Sequence, residues 1–212
     1  MTNRPTLVFG GTFDPPHRTH VAMARQAADA LDARAILVIP AAINPQRIHA
    51  HPLALPHHRL AMCRIAFRDE PRAQILDLEV HRAGPSFTIH TVEELAARGE
   101  GPMRLLIGSD QAVNFRSWRA WERVEHLAPP AIVVRPPHAA ATLPALLRER
   151  FGPDADRWIG RILPISPTDV SATAARRELA RGLDPVDLDP EVLRYLRSHG
   201  LYPLRDEPTS TS

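Results

Sequence analysis

Apolar residues along the chain follow two alternating spacings, which together predict its secondary structure. Short apolar runs predict buried strands at Thr6–Phe9, Ala35–Ile39, Arg104–Ile107 and Ala131–Val134, with an alternating strand at Gln74–Val80 and a weaker one at Ile159–Ile165. Between them, apolar residues recur every three or four positions, which predicts helices over 21–31, 57–68, 88–98, 143–151, 172–181 and 190–199, and a helical stretch that ends at Val124.

This alternation of strands and helices predicts an α/β protein. We expect a Rossmann-like doubly wound parallel sheet with helices on both faces, in a single domain over residues 1–205. The polar residues 206–212 are predicted to form a disordered tail. In such a fold the ligand binds beyond the carboxyl ends of the strands, where the loops after the first and fourth strands meet.

The loop after the first strand has the sequence Gly10-Gly11-Thr12-Phe13-Asp14-Pro15-Pro16-His17-Arg18-Thr19-His20. Its two glycines allow close approach of the backbone to a ligand, and the amino end of the next helix favours an anion. His17 and His20 are three residues apart, so both imidazoles should face the same side. A lone histidine is more often structural, but this pair behind a double glycine predicts a phosphate site.

A second candidate segment runs from Asp169 to Arg176. Ser171 is a plausible helix N-cap, and Thr173 and Arg176 lie three residues apart on one helical face. A guanidinium in that position can bind a phosphate through two hydrogen bonds. An ordinary capped helix with a surface arginine explains this segment alone equally well, and the first loop favours the phosphate interpretation.

Composition narrows the class of protein. All 26 basic residues are arginines, the net charge is only +2, and the arginines are scattered, so neither a nucleic-acid partner nor a membrane partner is expected. A single cysteine, Cys63, excludes an intrachain disulfide. With no signal-peptide pattern, we expect a cytoplasmic protein. No Cys, His and carboxylate set has metal-ligand spacing, so no protein metal site is predicted.

The first loop resembles the HxGH loop of the nucleotidyltransferase superfamily and, within it, that of the bacterial nicotinate-nucleotide adenylyltransferases. Val170, Ser171, Thr173 and Arg176 resemble the second motif of that family, ISxTxxR. The resemblance implies adenylyl transfer from ATP to nicotinate mononucleotide in NAD biosynthesis. It implies that His17, His20 and Arg176 are catalytic, and that ATP is bound by Gly10, Gly11, Thr12, Phe13, His17, His20, Asp110, Ser171, Thr173 and Arg176. Mg²⁺ is expected to bind through the ATP phosphates.

Three further residues are expected to bind the mononucleotide. Asn114–Trp118 after Asp110 resembles the family's FxxW segment, which implies that Trp118 stacks on the pyridine ring. Pro85–Thr88 resembles PSYT, which implies that Thr88 faces the nicotinate carboxylate. Arg47, in the long loop after the second strand, is expected to touch the mononucleotide phosphate. For each of these residues a purely structural role is the alternative.

The chain departs from the family at Thr19, where the family has glycine. A hydroxyl and a methyl are therefore expected beside the ATP phosphates, and Thr19→Gly is predicted to leave activity equal or higher. Two alternative functions stay open. One is a sister adenylyltransferase that shares the HxGH loop and uses nicotinamide mononucleotide or another phosphorylated acceptor. The other, which Thr19 suggests, is a nucleotide-binding protein with little turnover. The chain is also a possible homo-oligomer.

Overall fold

A parallel sheet organises the computed structural model, which describes residues 4–45, 54–165 and 172–202. Its five strands in these ranges are β1 (Thr6–Gly11), β2 (Ala35–Pro40), β3 (Ala73–Ile75), β4 (Met103–Gly108) and β5 (Pro130–Val133). They lie in the order β3-β2-β1-β4-β5, and every adjacent pair is parallel. From β1 the strands are added first to one side (β2, β3) and then to the other (β4, β5), which confirms the predicted doubly wound α/β fold.

Helices connect the strands. They are α1 (Arg18–Ala30), α2 (Pro56–Ala66), α3 (Thr88–Ala97), α4 (Ser109–Val113), α5 (Trp121–Leu127), α6 (Leu143–Phe151), α7 (Ala155–Ile159), α8 (Ala172–Ala180) and α9 (Pro190–Ser198), with short 3₁₀ helices at Phe115–Ser117 and Gly152–Asp154. No helix within the described ranges is long and apolar enough to cross a membrane.

Both faces of the sheet are buried because successive side chains of a strand point to opposite sides. Val8 of β1 packs in a core with α3, α5, α6 and α7, while its neighbours Leu7 and Phe9 pack in a second core with α1. A third apolar cluster joins α2, α8 and α9 and includes Tyr202. This cluster brings the carboxyl-terminal part of the chain against the loop that follows β1.

The sequence prediction was wrong at three elements. The third strand ends at Ile75 rather than Val80, because the chain turns after Asp77 and buries the Glu79 carboxylate, which accepts a 2.6 Å hydrogen bond from Thr91. The weak strand at Ile159–Ile165 is reduced to one bridge between Ile132 and Ile162. The helical stretch to Val124 is divided into α4, a 3₁₀ turn and α5.

Some predictions fall outside the described residues. These are the roles of Arg47 and Ser171 and the disordered tail at 206–212. The domain limit at residue 205 also stays a prediction.

Candidate active site

A cavity of about 440 Å³ opens at the carboxyl ends of β1 and β4. The structure brings together at this cavity every described residue that was predicted to bind ATP: Gly10, Gly11, Thr12, Phe13, His17, His20, Asp110, Thr173 and Arg176. Residues from β1, α1, α4 and α8 therefore converge on one site, as expected where a doubly wound sheet changes direction.

The loop after β1 is held from below by Arg59 of α2. This guanidinium is fully buried and donates to three carbonyl oxygens, those of Thr12 (2.6 Å), Ala42 (3.1 Å) and Ala54 (3.1 Å). A buried charge is tolerated only when its donors are used in this way. Arg59 thus fixes the loop relative to the chain that follows β2.

Close packing against the Phe13 ring explains why residue 11 of the loop is a glycine. A Cβ on Gly11 would lie 3.0 Å from the Phe13 ring, whereas a Cβ on Gly10 would meet no atom within 4 Å. Phe13 has a φ of +50°, and its side chain is buried against Phe9 and His20. The Phe13 ring therefore supports the loop, and only its backbone is available to a nucleotide.

The two histidines lie side by side, as predicted, with ring centroids 3.7 Å apart. His17 is the N-cap residue of α1 and its side chain is buried, while His20 is partly buried in the first turn. The backbone N–H of His17 donates to Nδ1 of His20 at 3.2 Å. Because that nitrogen accepts, the proton of a neutral His20 is on Nε2.

Burial keeps both imidazoles neutral near pH 7. Loss of hydration lowers the pKa of His17 to about 4, although the nearby Asp187 carboxylate acts in the opposite direction. The pKa of His20 lies well below its usual value because of burial and, to a smaller extent, the proximity of His17 and Arg135. A bound triphosphate would favour the charged forms again.

The amino end of α1, expected to favour an anion, already has protein partners for its N–H groups. The N–H of Arg18 donates to the Asp187 carbonyl at 2.8 Å, that of Thr19 to the Asp187 carboxylate at 3.4 Å, and that of His20 to the His17 carbonyl at 2.9 Å. The Thr19 hydroxyl, expected to point at phosphates, also donates to Asp187. The first turn of α1 is therefore capped by the protein itself.

Arg176 lines the cavity, and two hydrogen bonds hold its guanidinium there. One of its nitrogens donates to the Asp14 carbonyl at 2.6 Å and another to the Thr173 hydroxyl at 3.1 Å. The latter contact confirms that Thr173 and Arg176 share a face of α8. Asp14 itself is buried and accepts a 2.6 Å hydrogen bond from the Tyr202 hydroxyl, which joins the loop to the carboxyl-terminal segment.

Asp110 already has a cationic partner. Its two carboxylate oxygens accept from Arg135 at 2.7 and 2.9 Å, a bidentate pair that lowers the pKa of Asp110 against the opposing effect of burial. Gly108 makes room for this pair, since a Cβ there would lie 2.3 Å from Nε of Arg135. Contact of Asp110 with ATP stays a prediction.

A second cavity of about 250 Å³ adjoins the first across Gly10, Gly11 and Asn44. It is lined by Thr88 and Trp118, the two described residues predicted to bind the mononucleotide. The indole nitrogen of Trp118 is buried and has no hydrogen-bond partner among the described residues. This cavity is more apolar than the first, which suits a flat aromatic ring.

The donor atoms of the site are poorly suited to hold a metal ion alone. No group of three or more His, Cys, Asp or Glu side chains in the described ranges is arranged to bind one. The Asp110 carboxylate is bound by Arg135 and the Asp14 carboxylate by Tyr202. Magnesium prefers several oxygens in octahedral geometry, so these residues fit it only with substrate phosphates as the main ligands.

Sequence analysis missed three residues of the site. Arg135 lies two residues beyond the end of β5, and its position after a strand was an available signal. Arg119 lines the second cavity, and its guanidinium carbon lies 5.0 Å from the centre of the Phe87 ring. Its signal was its place next to Trp118, which was predicted to bind the mononucleotide. Asp187 lies in a Pro- and Asp-rich connection between α8 and α9, and nothing local marks it.

Comparison with known proteins places the chain among nucleotidyltransferases. The cytidylyltransferase-like family model matches residues 8–178. A probable nicotinate-nucleotide adenylyltransferase of Roseiflexus sp. is 37% identical over 203 residues, which are 95% of this chain and 100% of the relative. A probable nicotinate-nucleotide adenylyltransferase of Bordetella petrii is 39% identical over 196 residues, with 92% and 97% covered.

The same fold is found in a solved structure. Nicotinic acid mononucleotide adenylyltransferase of Plasmodium falciparum, in complex with NaAD, superimposes with a TM-score of 0.71 at 17% identity, covering 96% of this chain and 100% of that one. At this identity the likeness supports the fold, while the closer sequence relatives carry the family assignment.

Proposed function

The chain belongs to the cytidylyltransferase-like family and, within it, to the nicotinate-nucleotide adenylyltransferases, and we propose that it transfers the adenylyl group of ATP to nicotinate mononucleotide. The products are nicotinate adenine dinucleotide and pyrophosphate. The observation that carries the proposal is the pair of adjoining cavities, a polar one beside the two histidines and an apolar one beside Trp118. Together they match a dinucleotide whose phosphates lie across Gly10 and Gly11.

In the proposed reaction, a phosphate oxygen of the mononucleotide attacks the α-phosphorus of ATP. A new P–O bond forms on that side, and the bond to the β-phosphate breaks with pyrophosphate as the leaving group. His20 would donate from Nε2 to a phosphate oxygen, and Arg176 would contact the β- and γ-phosphates. Such donors accelerate phosphoryl chemistry by positioning the reactants and stabilising charge in the transition state.

The remaining contacts extend this proposal. Thr173 and Ser171 would assist Arg176, Asp110 would bind the adenosine side, and Arg47 would contact the mononucleotide phosphate. Thr88 and Trp118 would hold the nicotinate ring and its carboxylate. Mg²⁺ would accompany ATP, where it neutralises phosphate charge. With free ATP and mononucleotide as its substrates, the protein is expected to act in the cytoplasm.

The test is pyrophosphate release from ATP and Mg²⁺ by the purified chain, with nicotinate mononucleotide and nicotinamide mononucleotide compared at equal concentrations. We expect faster release with the acid. Equal rates would retain adenylyl transfer and reject the selectivity for the acid. Binding of ATP without pyrophosphate release, with either acceptor, would reject the reaction.

A further inference from the structure

We propose that Asp187 is a positioning residue for His17, held in place by Thr19, and that it determines which ring nitrogen His17 presents to the substrate. This inference rests on the proposed function, in which His17 contacts the ATP phosphates. It concerns the chain's departure from the glycine found between the two histidines of related loops.

Geometry places the Asp187 carboxylate beside the imidazole. Its Oδ2 lies 2.8 Å from Nδ1 of His17, whose side chain is only 3% exposed. Nδ1 of His17 makes no hydrogen bond of ordinary geometry with the described residues, so this is a close contact of charge and ring. At that separation two lone pairs would repel each other, so the contact is favourable when the proton is on Nδ1. The proton of a neutral His17 is then away from Nε2, the opposite arrangement from His20.

Thr19 fixes the carboxylate at this position. Its hydroxyl oxygen lies 3.1 and 2.9 Å from the two oxygens of Asp187, and its backbone N–H is 3.4 Å from Oδ2. The backbone of Arg18 binds the Asp187 carbonyl as well. Glycine at residue 19 would keep the backbone contacts and lose the hydroxyl, so the side chain of Thr19 has a specific role.

The two histidines would consequently differ in their chemistry. His20 offers an N–H to a phosphate oxygen, whereas His17, with its proton on Nδ1 beside Asp187, would offer the ring atom Nε2. His17 can donate from Nε2 only when it takes up a proton, and an adjacent carboxylate stabilises the resulting cation. Asp187 would therefore both orient the ring and support its charged form in the complex with ATP.

Other charged groups lie near His17 and Asp187 and also affect the protonation of His17. The His20 ring, in the first turn of α1, packs against the His17 ring at a tilt of 33°. The cavity also contains the cations Arg135 and Arg176 and the carboxylates Asp14 and Asp110. Asp110 is bound to Arg135 and Asp14 to Tyr202, while the Asp187 carboxylate lies 2.8 Å from Nδ1 of His17.

The experiment compares Asp187→Ala, Asp187→Asn and Thr19→Val with the wild-type chain. The matched control is Asp184→Asn, three residues earlier, where the carboxylate is exposed and pairs with Arg197. First, the ¹⁵N shifts of His17 are recorded in the absence of substrate. We expect an Nδ1–H ring in the wild type and in Asp184→Asn, and loss of that preference in Asp187→Ala.

Second, pyrophosphate release is measured as a function of ATP concentration and pH. We expect kcat of Asp187→Ala to fall about 10- to 100-fold, as for other residues that orient a functional histidine, with little change in the KM for the mononucleotide. Asp187→Asn keeps a hydrogen-bond acceptor but loses the negative charge that stabilises protonated His17. As pH rises, the activity of this variant should therefore begin to fall at a lower pH than that of the wild type. Thr19→Val should show a smaller loss of the same kind.

The outcomes separate this inference from the proposed function. A wild-type chain that releases no pyrophosphate rejects the function, while the ¹⁵N spectra still test the contact between Asp187 and His17. An active wild type with unchanged kcat and pH profile in Asp187→Ala overturns the inference. So does a His17 ring with its proton on Nε2 in the wild type.

Discussion

The backbone N–H of His17 donates to Nδ1 of His20, and this single hydrogen bond determines how the second histidine can act. It leaves the Nε2 proton of His20 as the donor available to the cavity. The same contact ties the N-cap of α1 to its first turn, so the two imidazoles are oriented together. Helix capping and the proposed phosphate contact therefore depend on the same two residues.

Replacing His20 by alanine should abolish this donor without disturbing the fold. We expect kcat for pyrophosphate release to fall about 100- to 1,000-fold, the usual cost of losing one preorganised donor to a transition state. His17→Ala should give a comparable loss. His126→Ala, an exposed histidine at the end of α5, is the control and should retain its activity. A near-normal rate in His20→Ala, with an unchanged circular dichroism spectrum, would contradict the assigned role.

Arg119 is expected to select the acid form of the mononucleotide. Its guanidinium lines the cavity of Thr88 and Trp118, where a nicotinate carboxylate would gain a charged partner and a nicotinamide would not. We expect Arg119→Gln to reduce the ratio of kcat/KM for acid over amide about tenfold, mainly through KM for the acid. Arg123→Gln is the control, because Arg123 pairs with Glu93 on the surface. An unchanged ratio would show that backbone groups near Thr88 carry the selectivity alone.

Much of the fold could be predicted from the sequence, since the period of apolar residues directly reports which faces are buried. The pairing of His17 with His20 and of Thr173 with Arg176 was also predictable, because both depend only on helical spacing. Asp187 was not, because it lies 168 positions from Thr19 and is brought to it by the packing of α8 and α9 against α2. The early end of β3 could not be predicted either, because it depends on the hydrogen bond between Glu79 and Thr91, which belongs to α3.

Arg59 should contribute more to stability than to chemistry. Arg59→Met leaves three carbonyl oxygens without their donor beneath the loop after β1, and we expect unfolding free energy to fall by about 3–5 kcal/mol. Urea denaturation followed by fluorescence measures this change. Arg64→Met, on the exposed side of the same helix, is the matched control and should change stability by less than about 0.5 kcal/mol. Equal stability of the two variants would show that the buried network contributes nothing.

Stability should decline in acid because His17 is buried in its neutral form. Its pKa is about 4 in the folded chain, below the 6.5 of an unperturbed histidine, so between these values the unfolded chain binds the additional proton. Unfolding is thus favoured as pH falls, and the effect is absent above pH 7. For His17 alone, the loss from pH 7 to pH 5 amounts to about 2 kcal/mol.

Urea denaturation at a series of pH values, in the wild type and in His17→Gln, isolates this contribution from that of the acidic residues. Glutamine cannot take up the proton, so the variant should lose about 2 kcal/mol less than the wild type over the same interval. His126→Gln removes an exposed imidazole instead and should follow the wild-type curve. If His17→Gln also follows it, the imidazole of His17 is protonated in the folded chain, and the Asp187 carboxylate outweighs the cost of burial.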